Sequence, residues 1–221
     1  MSAYSEYSKM FREGIVAKAR ELNYSAENLC ILEGNITLLR EQFPNTYSNL
    51  MSCLHNRDSR QPMDYAKDLV ASWIFEDTIV QKLSEYGIAT TLAGADSNRE
   101  LLPTSRVSAS SDCQISANGK TRLLEIMCDY TGWWESTGHM ELRDAKYTKL
   151  SREKALFLGI CTVSQRYILL DFAGHIDARY IQSHRPYGGK PAYSINIDKA
   201  ALKKFLMPPL VEELKTALSV V

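Results

Sequence analysis

An excess of charge of either sign is the first thing this sequence lacks: its 26 Lys and Arg are matched by 26 Asp and Glu. Without a global basic excess, any phosphate-binding surface has to be local. Cysteine is also sparse, at positions 30, 53, 113, 128 and 161, odd in number and without a C-x-x-C pair. That argues against a disulfide framework and against a structural zinc site, and it suits reduced thiols in a cytoplasmic protein. No apolar run approaches the ~20 residues that cross a bilayer, so no membrane partner is expected, and the polar N-terminus MSAYSEYSKMFREG carries no signal-peptide pattern. The phosphate cradles G-x-x-x-x-G-K-[ST] and G-x-G-x-x-G are missing, as is the serine elbow G-x-S-x-G. His55, His139, His175 and His184 are scattered without ligand spacing. There is no internal repeat and no low-complexity segment.

What the sequence does have is a carboxylate in the wrong company. Glu125 interrupts the apolar run Leu123-Leu124-Glu125-Ile126-Met127-Cys128, thirteen residues after Asp112. An ionised carboxylate is costly in such a strand unless a charged group holds it. Asn118-Gly119, flanked by Cys113-Gln114-Ile115 and Leu123-Leu124, is a hairpin signal. Folding that hairpin brings both carboxylates to one end. Two acids and a main-chain carbonyl are hard oxygen ligands suited to Mg²⁺, which keeps its other positions for water and a substrate phosphate.

Around this pair the pattern is mixed. Residues 1–60 read as a helical section, with Ser25 an N-cap for a helix carrying Leu29, Leu32, Ile36 and Leu39, and Pro44 closing it. Asn56 to Pro62 reads as a loop or hinge, and residues 61–221 as the core, the whole expected as one compact domain. A helix from Asp64 to Tyr86 ends at Gly87. Its stripe Leu69, Trp73, Val80, Leu83 encloses Glu76, aimed inward, with Asp77 the competing candidate. A short strand over Ile88 to Leu92 follows, then a polar segment from Gly94 to Ser110 and the hairpin. Tyr130 to Trp134 reads as a loop, Glu141 to Phe157 as a charged amphipathic helix, and Leu158 to Val163 and Tyr167 to Phe172 as strands. Ser183 to Pro191 is a basic, aromatic, turn-rich loop, Tyr193 to Ile197 a strand, and a closing helix runs up to Pro208. This order predicts an α/β (α+β) fold with a mixed central β-sheet flanked by helices and a right-handed crossover.

The order of elements and the carboxylate pair resemble the PD-(D/E)XK nuclease superfamily, whose best-known soluble members are type II restriction endonucleases. Ser111-Asp112 stands for the first half of the motif and Glu125-Ile126-Met127 for the second, over residues 64–172. The resemblance implies a Mg²⁺ held by Asp112, Glu125 and the carbonyl of Ile126, with Glu76 near the metal, hydrolysing double-stranded DNA without a covalent intermediate. Two departures stand out. Ser111 replaces the usual Pro, and Met127 occupies the lysine position, where a thioether can donate neither a proton nor a charged hydrogen bond.

Members of the superfamily place that lysine on the following helix, where this chain offers Lys146 and Lys149. Lys146 shares a face with Leu142 and Leu150 by a spacing of four and is the preferred candidate. Asp129 lies on the Glu125 side of the strand by period two and is a further candidate for the metal. DNA contacts are expected from Arg99, Arg106, Lys149, Arg185 and Lys190. A palindromic target implies a homodimer, for which the N-terminal helices are a candidate surface. Trp133-Trp134 suits packing better than stacking on a base. The resemblance leaves open a structure-directed repair or recombination nuclease, and a DNA-binding module that does not cut.

Overall fold

The computed structural model describes residues 14–53, 60–94, 96–103 and 110–219. They fall into two compact units, one formed by residues 1–77 with 95–108 and the other by residues 78–94 with 109–221. Among the described residues no helix is long and apolar enough to cross a membrane.

The first unit is helical. It holds α1 (residues 14–21), α2 (Ala26–Glu33), α3 (Ile36–Gln42), α4 (Pro44–Ser52) and most of α5 (Pro62–Glu85). Ser25 caps α2 by accepting the Asn28 N–H at 3.3 Å. The single helix expected to run on to Pro44 is broken at Gly34, which adopts φ +77°, and Asn35 restarts the chain by accepting the Leu38 N–H at 3.0 Å. Glycine takes that left-handed turn without strain. Pro44 opens α4 rather than ending a helix, because its missing N–H falls where no intrahelical partner exists. Ile31, Leu39, Leu50, Trp73 and Ile74 form the core. α5 up to Asp77 packs with the helices of this unit, and so does the segment near Arg99.

In the second unit a six-stranded sheet runs β1 (Ala89–Leu92), β2 (Cys113–Ala117), β3 (Lys120–Asp129), β5 (Leu156–Cys161), β6 (Arg166–Asp171), β9 (Lys203–Lys204). Every pairing is antiparallel except β3 with β5, which is parallel. The β3–β5 connection contains α6 (Trp133–Thr137), β4 (His139–Arg143) and α7 (Asp144–Glu153). A second antiparallel sheet, order β4-β8-β7, adds β7 (Ala178–His184) and β8 (Lys190–Asn196). The fold is mixed α/β, with a mixed central sheet flanked by helices.

Alternation along β3 divides the core. Leu124 and Ile126 face α8 (Met207–Ser219) and the end of α5 through Leu210, Leu214 and Leu83. Leu123 and Met127 face the layer of α7 and β4, with Leu142, Leu150 and Phe157. On that second face a Cβ at Gly159 would meet Trp134, Phe157 and Ile168 at 3.1 Å each, so a strand glycine lets the indole lie against the sheet. Arg122, buried on β3, pairs with Asp171 and donates to the Ala217 carbonyl at 3.2 Å. Its hydrogen bond holds the Asp171 carboxyl below the usual carboxylate range.

Further assignments change, among them the end of the helix expected to reach Phe157, which stops at Glu153 before β5. The helix expected from Glu141 begins at Asp144, because Met140 and Leu142 alternate inward on β4. Trp133 and Trp134 lie on α6 rather than in a loop. The last helix starts at Met207 instead of ending at Pro208, with its prolines in the first turn.

Candidate active site

The hairpin turn has Asn118 at φ +52° and Gly119 at φ +76°, the two left-handed residues of a type I′ turn, whose twist matches the flanking strands. It fixes the register from Ala117 opposite Lys120 to Cys113 opposite Leu124. One step further, β2 gives way to Asp112, and its side chain takes over the edge of β3. Asp112 Oδ2 accepts the Ile126 N–H at 2.7 Å, while the Asp112 carbonyl accepts the Ala93 N–H at 2.8 Å. In a strand the N–H and C=O of one residue point to the same edge, so the Ile126 carbonyl faces the side that Asp112 occupies.

Glu125 is 6% exposed. The charge that holds it comes from α7: Lys146 Nζ lies 2.6 Å from Glu125 Oε1 and also donates to the Ser110 carbonyl at 3.1 Å. One turn along, Lys149 Nζ donates to Ser110 Oγ at 2.9 Å and lies 3.7 Å from Glu153. The two lysines thus bind the segment leading into Asp112. Asp112, Glu125, Lys146 and Lys149 are brought together within one unit. Nothing in the sequence pointed to Ser110.

The remaining candidates have other placements. Glu76, 6% exposed, belongs to the helical unit, where its Oε2 accepts from Arg99 Nη1 at 2.8 Å. Arg99 also clamps Asp77, with Nη2 to Oδ1 at 2.5 Å and Nε to Oδ1 at 3.1 Å. Burial disfavours the charged guanidinium, but the hydrogen bond to Asp77 and the charges of Glu76 and Asp77 together outweigh it and raise the Arg99 pKa. That guanidinium, expected on DNA, is taken up by two carboxylates. Tyr24 adds a hydroxyl donated to Asp77 Oδ2 at 2.5 Å, and burial, then the Asp77 bond, push its pKa up. Asp129 accepts the Thr131 N–H at 2.8 Å and the Trp134 N–H at 2.9 Å, which makes it the anchor of α6. Arg185 and Lys190 are exposed at the β7–β8 connection, and Arg106 lies outside the described residues.

A metal at this site finds a donor set made only of oxygen: the carboxylates of Asp112 and Glu125 and the carbonyl of Ile126. Among the described residues no group of three or more His, Cys, Asp or Glu side chains gathers as a metal cage. Two carboxylates suit an ion such as Mg²⁺ that retains several waters, and not zinc.

No protein-family model matches the chain, and no curated protein matches it. Among solved structures it is similar to Hjc of Archaeoglobus fulgidus, a Holliday junction resolvase from an archaeal hyperthermophile. That likeness has 10% sequence identity and a TM-score of 0.38, covering 65% of this chain and 98% of that one. A likeness this distant leaves the chemistry of the chain to its own side chains.

Proposed function

We propose that this protein is a Mg²⁺-dependent DNA endonuclease, and that it cuts double-stranded DNA at specific sites in the manner of a type II restriction enzyme. The observation that carries the reading is the Lys146–Glu125 contact of 2.6 Å beside Asp112. It supplies from α7 the ammonium that Met127 cannot supply from the strand. Asp112, Glu125 and the Ile126 carbonyl would hold the metal, which would supply Lewis-acid activation of water and of the phosphodiester.

The chain's own groups do the rest. Asp112 is oriented by the Ile126 N–H and Glu125 by Lys146, so both acids are fixed before substrate arrives. Lys146 Nζ donates a hydrogen bond to a phosphoryl oxygen, offsetting the charge that builds there. Lys149, Arg185 and Lys190 contact the DNA backbone. Two copies related by a two-fold axis, joined through the helical unit, match a palindromic target.

The experiment is incubation of the purified protein with phage DNA in Mg²⁺ and in EDTA, followed by electrophoresis. Discrete Mg²⁺-dependent fragments are expected. A Mg²⁺-dependent smear, or cutting confined to branched DNA, would replace site-specific cutting with structure-directed cutting on the same residues. Intact DNA under several metals would leave a DNA-binding module.

A further inference from the structure

Just beyond the candidate carboxylates, on the same face of β3, lies a cleft of about 470 Å³. Its floor includes Met127 and its walls Tyr130, Trp133, His184 and Tyr187. Two observations mark it as built for a ligand. Trp133 is 54% exposed, an unusual cost for an indole, whereas its neighbour Trp134 is buried in the core. Tyr187 is held in place by donating its hydroxyl to the Glu141 carbonyl at 2.8 Å, and the Arg143 guanidinium lies over its ring at 5.2 Å. Arg185, exposed beside the cleft, supplies positive charge next to the aromatic walls.

We infer that this cleft takes one unstacked nucleobase of the substrate strand, next to the phosphate that is cut. Aromatic faces stack on any base, and an arginine beside them holds the flanking phosphates. Met127 is two residues from Glu125. A strand rises about 3.3 Å per residue, so base pocket and carboxylate are spaced by roughly one nucleotide of extended backbone. The intact duplex cannot fill the cleft until a base leaves the stack. Binding therefore favours a site at which a base next to the cut leaves the stack readily. This inference rests on the nuclease reading for its link to cutting, but the base pocket stands apart from catalysis.

The test uses the full chain in Ca²⁺ with three matched oligonucleotides: a fully paired duplex, the same duplex with one unpaired base, and a single strand. Binding is followed by fluorescence anisotropy. The unpaired-base duplex should bind about tenfold tighter than the paired one, a ratio set by one base–aromatic stack. In Trp133→Ala that ratio should fall towards one, and Trp133→Phe should restore most of it. Thermal melting checks that both variants fold, which the exposure of Trp133 favours. Equal binding of paired and unpaired DNA by the natural protein would overturn the inference, as would a ratio untouched in Trp133→Ala. Retained preference without Mg²⁺-dependent cutting would uphold the pocket and sink the nuclease reading. Cutting with no preference would do the reverse.

Discussion

Each unit buries a glutamate at 6% exposure, and the two are held in opposite ways. In the helical unit Glu76 and its neighbour Asp77 share Arg99, with 2.8 Å and 2.5 Å contacts. Guanidinium presents a fixed planar fork and never gives up its proton, so the cluster is a clamp that ties the segment near Arg99 to α5. In the sheet unit Glu125 meets a lysine, a single point charge on a flexible stem, and the lysine comes from a helix three elements along the chain. Asp112 is oriented by a main-chain N–H where a partner strand has just ended. The first arrangement spends its hydrogen-bonding capacity on the fold. The second gathers hard oxygen ligands and a movable cation at the end of a strand, which is where chemistry can be done.

The comparison breaks first at Glu125. Glu125→Gln, isosteric but uncharged, should reduce Mg²⁺-dependent cleavage by roughly a thousandfold or more, measured as initial rates on plasmid DNA, with an unchanged circular dichroism spectrum. Asp112→Asn should do the same. Next in size is the clamp. Arg99→Ala leaves two carboxylates facing each other without their cation and should lower stability by about 3–5 kcal/mol, read from urea unfolding. If Arg99→Ala melts like the natural protein, the clamp is not structural.

Lys146→Ala should lower the cleavage rate by about a hundredfold and cost about 1–3 kcal/mol, because Glu125 loses its charge partner. Lys146→Arg tests whether a point charge is needed: retention of full activity would say that any cation serves. Smaller again is Arg185→Ala, for which the slope of log K against log salt should shrink by up to about one. The smallest effect is on acid stability. The Arg122 hydrogen bond holds Asp171 below its unfolded pKa, so its contribution is complete above the unfolded value and is lost as pH falls through the folded one. Asp171→Asn should therefore flatten the acid limb of a melting-temperature profile below about pH 4.

The sequence made the hairpin legible because its turn chemistry is local: Asn118-Gly119 fixes the register, and the register carries Asp112 to Glu125. The inward aim of Glu76 was legible from helical period, but its partner was not. Arg99 reaches α5 only through a return of the chain that no local pattern encodes. Residues 141–143 of β4 carry a helical expectation because Leu142 runs straight into the spacing of Lys146 and Leu150 on α7, and five residues cannot separate period two from 3.6. β7 escaped altogether: four of its seven residues are exposed, so it shows no alternation, and with it went the aromatic cleft near His184. Trp133 and Trp134 looked equivalent in sequence, yet Gly159 admits only one of them to the core.

The most direct test of the account is one gel: natural protein and Glu125→Gln, each with phage DNA in Mg²⁺ and in EDTA. Cutting by the natural protein in Mg²⁺ alone, and none by the variant, is expected. Equal cutting by the variant, or cutting that survives EDTA, would contradict it.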